Sequence, residues 1–196
     1  MPVSALLDLA KGGNYEQFES RCVELLADGQ LSFSNLVAPF QQIEKSGQGE
    51  KLAALTQTIF ENADPKVDPR AALQLARVAL IASPKSDGLR QTVLSLYRRV
   101  YADTPSLDAV VDASGLSGGR PIRMALKLLD FCLTLKPGDP LISRSDDRVV
   151  EVVEIDLAHT LFTLRRDTRT TTLPAPEVTR DFDLVSPDDF RVLRQL

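Results

Sequence analysis

Apolar residues along the first two-thirds of the chain recur at three- and four-residue spacing, the period of an α-helix with one buried face. Phe18, Cys22, Leu25 and Leu26 form one such stripe. Asn14 stands before it as an N-cap, with Gln17 three residues on to close a capping box. Leu52, Leu55 and Ile59 form a second stripe. Leu73, Ala76 and Leu80 form a third, opened by Asp68 and by Pro69 at the first helical position. Leu89, Val93, Leu96, Tyr97 and Val100 give the clearest stripe, and Ile122, Leu126, Leu129 and Leu133 the last, after Pro121. Pro39 falls within the pattern Phe33, Leu36, Val37, Phe40, Ile43. That predicts either a kinked helix or a short turn before a helix starting near Pro39.

The breaks between stripes are short, which favours antiparallel neighbours. Helix pairs begin near Asn14, Gly49 and Pro84, a spacing of about 35 residues, close to the period of helix–turn–helix solenoids. Residues 1–135 therefore read as a helical-repeat-like module of tetratricopeptide or HEAT texture, without a full repeat consensus. An irregular helical bundle is the alternative.

At Lys136-Pro137-Gly138-Asp139-Pro140 the helical period stops. Period-two and β-branched runs follow, at 141–144, 148–156, 160–165 and 169–173, with a short run at 182–185. Ser186-Pro187-Asp188-Asp189 then has the composition of a helix start. So many short strands in about 50 residues predict a small, strongly bent barrel of SH3 or Tudor type over 136–196, closed by a C-terminal helix. The expected fold class is α+β.

Composition narrows the function. The net charge of −4 and pI near 5.1 give no basic footprint for duplex nucleic acid. No run approaches the 18 apolar residues of a membrane span, and the N-terminus lacks a secretory signal pattern, so a cytoplasmic protein is expected. Cys22 and Cys132 both sit on apolar helical faces and read as buried free thiols. One histidine, His159, and two separated cysteines fall short of a zinc site. Nucleophile-elbow, P-loop and dinucleotide motifs are absent. No enzyme and no cofactor is expected. Gly118-Gly119-Arg120 offers backbone amides for an anion, or simply a flexible connection before a helix. Within 136–196 nine basic groups face twelve acidic ones. Arg165, Arg166 and Arg169 cluster at one predicted hairpin and are the candidate partner-binding residues, for phosphate or an acidic partner.

Several segments resemble a known family. Leu135-Lys136-Pro137-Gly138-Asp139, the strand ending Val153-Glu154-Ile155-Asp156, and Ser186-Pro187-Asp188-Asp189-Phe190-Arg191-Val192-Leu193 are similar to the N-terminal extension of long Gre-type transcript-cleavage factors. Upstream, Leu89-Arg90 through Leu96-Tyr97, Tyr101, Ser114-Gly115-Leu116 and the helix from Ile122 resemble the same extension, so the likeness spans about residues 85–196. The barrel texture is also similar to polymerase-interacting domains of the CarD type. The resemblance implies a non-catalytic protein-interaction module contacting bacterial RNA polymerase. Two departures stand out. The aromatic-Gly-x-Gly stretch of the family barrel is replaced by Ser145-Asp146-Asp147-Arg148. The heptads of the catalytic coiled coil are missing, which implies a fragment of a longer factor or a paralogue keeping the accessory part. The other reading is a generic helical-repeat adaptor, holding a peptide in a groove lined by Tyr15, Tyr97 or Tyr101.

Overall fold

The computed structural model describes residues 2–62, 68–118 and 120–185. The chain divides into two compact units, Met1–Ala102 and Asp103–Leu196.

The first unit is helical: α1 (Pro2–Lys11), α2 (Tyr15–Ala27), α3 (Phe33–Lys45), α4 (Gly49–Glu61), α5 (Pro69–Ala82) and α6 (Asp87–Val100). The stripes face inward as their spacing requires. Phe18, Phe40, Ile43, Leu52, Ile59, Leu75 and Val93 have no exposed surface. Helix α1 packs on α3, and α3 on α5; α2 packs on α4; and the pairs α1–α2, α3–α4 and α5–α6 also touch. Helix α4 packs on α5 as well, the pair expected from Gly49, and a further helix, α1, precedes the pairs expected from the sequence. Helix α1 carries only Leu6 and Ala10 as buried residues, too few for a stripe.

Local signals set the helix ends. Asp68 Oδ1 accepts from Arg70 N at 3.0 Å and Ser86 Oγ accepts from Leu89 N at 3.3 Å, satisfying amides that the helix itself leaves open. The box expected at Asn14 does not form: its side chain makes no cap bond. Asn35 Oδ1 instead accepts from Ser32 N at the start of α3. Helix α3 runs through Pro39, which is buried beside Phe40. Proline removes the bond to the Asn35 carbonyl, and α3 is held by its apolar face against α1 and α5. Gly49 is required by close approach, since a Cβ there would lie 2.1 Å from the Ala82 carbonyl oxygen.

The second unit holds α7 (Leu107–Ser114), α8 (Ile122–Thr134), β1 (Pro140–Ser143), β2 (Val149–Asp156), β3 (Leu161–Arg166), β4 (Arg169–Pro174), α9 (Ala175–Asp181) and β5 (Phe182–Leu184). The strands form one antiparallel sheet in the order β4-β3-β2-β1-β5. Pairing of β2 with β3 shifts between Val152 and Glu154, a bulge that bends a strand. The Lys136–Pro140 turn is stitched to β2: Gly138 N donates to the Val152 carbonyl at 2.7 Å, and Val152 N to the Asp139 carbonyl at 2.9 Å. Gly138 has φ +95, a conformation that glycine adopts without strain. Leu141, Ile142, Val152, Phe162, Ala175 and Val178 are fully buried.

The fold is therefore α+β, helices before an antiparallel sheet, with the strands near their predicted positions. The division between units differs from the one at 135/136. Helix α8 belongs with the sheet: it packs on α7 and α9, and Lys127 Nζ lies 3.4 Å from Asp183 Oδ1 on β5. Periodicity marks a helix but not its neighbours, and α9 gives no long stripe to announce itself. The C-terminal helix expected from Ser186 lies outside the described residues.

Candidate functional site: an arginine-lined cleft beside a sheet edge

Strands β3 and β4 are joined by the two residues Asp167 and Thr168, with Arg166 opposite Arg169. Asp167 has φ 55, which aspartate tolerates better than most residues. In such a tight hairpin the closing pair exchanges both backbone hydrogen bonds, and the pattern alternates from there. Arg169, Thr171 and Leu173 therefore bond to β3. The N–H and C=O groups of Thr170 and Thr172 point away from the sheet, and the Thr163 and Thr172 hydroxyls meet at 3.1 Å across the ladder. Strand β4 ends the sheet, so that outer row has no partner strand among the described residues.

Side chains alternate between faces along each strand. Arg148, Val150, Leu164, Arg166, Thr171 and Leu173 line one cleft of about 610 Å³, with Arg169 at the hairpin and Phe182 of β5 on its border. Val150 and Leu164 are buried and form the apolar floor. Arg166 Nη2 donates to Asp146 Oδ2 at 2.7 Å, and Arg148 Nε stands 4.0 Å from the same oxygen. The Ser143 hydroxyl, and after it Arg166, hold the Asp146 carboxyl below its ordinary value. No carboxylate pairs with Arg169 among the described residues. Arg165 borders the cleft but alternates to the other face of β3, where its Nη2 donates to Glu151 Oε2 at 2.6 Å.

The structure thus brings Arg166 and Arg169 to one cleft and turns Arg165 across the sheet. It adds Arg148, which sequence reasoning missed. Arg148 lies 18 positions before Arg166, and only strand pairing makes them neighbours. The anion reading of Gly118–Arg120 loses donors: the amides of Gly118 and Arg120 both bond to the Gly115 carbonyl. His159 donates its backbone N–H to Asp156 and sets its ring Nδ1 2.7 Å from Asp156 Oδ2. It is three-quarters exposed on a turn and not in a deep pocket. Among the described residues no group of three or more His, Cys, Asp or Glu side chains could hold a metal, and no helix is long and apolar enough to cross a membrane. Both cysteines are free and buried, and burial pushes each thiol up to about 12.

Comparison with protein-family models, curated proteins and solved structures found no match to this chain.

Proposed function

We propose that the chain is a non-catalytic protein-interaction module, related to the accessory region of Gre-type transcription elongation factors, which contacts bacterial RNA polymerase through its sheet. The carrying observation is a β4 edge without a partner strand among the described residues, beside a cleft of mixed apolar and basic lining, since exposed edges are templates for a partner strand. Supporting it are the sequence resemblance over residues 85–196 and the order of helices before sheet. A four-strand meander, a short helix and a fifth strand returning beside β1 is also the order expected of an SH3- or Tudor-like barrel. In the first unit, alternate helices pack side by side, which supports the repeat-like reading. For the adaptor alternative, Tyr97 is 1% exposed, Tyr101 stacks on it and borders a cleft beside Arg70 and Arg77, and the Tyr15 hydroxyl lies 3.4 Å from Ser46 Oγ, so the sheet edge carries the stronger support.

Purified core RNA polymerase, incubated with the immobilised full chain, tests the reading. Capture of polymerase, competed by a long Gre factor, is the expected result. Failure of capture where that Gre factor is captured overturns it.

A further inference from the structure

We propose that the β4 edge and the cleft beside it form one docking site for an extended acidic peptide segment of a partner protein, added to the sheet as a sixth strand. This rests on the interaction-module reading above and specifies the chemistry of its contact.

The outward N–H and C=O groups of Thr170 and Thr172 are a row that only another extended backbone matches repeatedly. The other sheet edge is poorer. Strand β5 has three described residues, and its Asp183 is engaged by Arg144 and Lys127. Charge selects the occupant. On the cleft side β4 presents Arg169 at one end and Leu173 at the other, four positions along, with Arg148 and Arg166 beside the former. Asp146 and Glu151 hold Arg166 and Arg165 in place, while Arg169 has no such partner among the described residues. An added strand whose cleft-facing positions pass from carboxylate to apolar fits that gradient, and guanidinium groups suit paired, geometrically fixed carboxylate contacts. Single-stranded nucleic acid fits less well. It needs a platform of stacked aromatics, and the cleft has one aromatic, Phe182.

The probe is a fluorescent eight-residue peptide of alternating threonines whose other positions are two valines followed by two glutamates. Its controls are the same peptide with lysine for glutamate, the same peptide methylated on its backbone nitrogens, and a ten-nucleotide oligothymidylate. The full chain should bind the acidic peptide and neither the lysine nor the methylated form. Arg169→Glu should weaken binding about tenfold or more, and Arg165→Glu, on the other face, less than about threefold. Thr172→Pro removes an outward N–H and the hydroxyl contact to Thr163 but no backbone bond to β3, and should abolish binding. Should that variant misfold, the methylated peptide carries the same test. Absence of acidic-peptide binding, equal binding of the lysine peptide, tighter binding of oligothymidylate, or an edge-to-edge dimer of the chain each overturns the proposal. Polymerase capture unaffected by Arg169→Glu would overturn it alone. Peptide binding without polymerase capture would overturn the polymerase reading alone.

Discussion

Leu126 shows what a single position determines here. It lies mid-stripe on α8 and is 2% exposed. A carboxylate placed there without a partner costs several kcal/mol, against roughly 5–15 kcal/mol for a whole domain. Leu126→Asp should therefore abolish the cooperative thermal transition of the Asp103–Leu196 unit. A variant melting within a few degrees of wild type would show that the position tolerates charge. The thiols belong to the same scale. Burial lifts Cys22 and Cys132 to about 12, so almost none of either is thiolate at neutral pH. At the cleft, by contrast, residue identity says little by itself. Arg165 and Arg166 are adjacent, yet strand alternation sends one to Glu151 and the other to Asp146.

Strand β5 shows how a short element is held. Its three residues pair with β1, and its Asp183 receives Arg144 at 2.5 Å and Lys127 at 3.4 Å. The hydrogen bond from Arg144, and then the charges of Arg144 and Lys127, hold the Asp183 carboxyl below its ordinary value of 3.8. A carboxyl depressed in the folded state stabilises above the unfolded value, and that contribution is lost as pH falls through the folded one. Asp183→Asn should thus lower stability at neutral pH by up to about 1 kcal/mol, the limit for a partly exposed pair. The gap between variant and wild type should narrow progressively once the pH drops below 3.8. Urea melts at neutral pH and at about pH 3 check this, and an equal gap at both would refute it. Helix α9, just before β5, buries Ala175 and Val178 in only seven residues. Two buried positions with Pro176 between them give no period to read, so no sequence pattern announces this element.

For the molecule as a whole, the consequential result is the division at Ala102/Asp103. Residues 1–102, produced alone, should give a helical circular dichroism spectrum and a cooperative melt. A fragment ending at Leu135 keeps α8 but removes α9, leaving uncovered the part of α8 that packs on α9. It should associate at concentrations where residues 1–102 remain monomeric, as sedimentation would show. If residues 1–102 are unfolded and residues 1–135 are not, the second boundary is the physical one.

Elements whose side chains repeat are legible from local pattern alone. The stripes of α2, α4, α5, α6 and α8, the break at Lys136–Pro140 and the strands from Leu141 to Leu173 follow from periods of 3.6 and two, because one buried face forces each repeat. Elements too short to show a period, α1, α7 and α9, were not legible. Their stability comes from burial against neighbours distant in sequence. The candidate site divides in the same way. The arginine cluster at the hairpin was visible as composition. Its union with Arg148, the turning away of Arg165, and the outward-facing backbone of Thr170 and Thr172 depend on strand register and order. Those are set by pairing between segments that local sequence does not bring together.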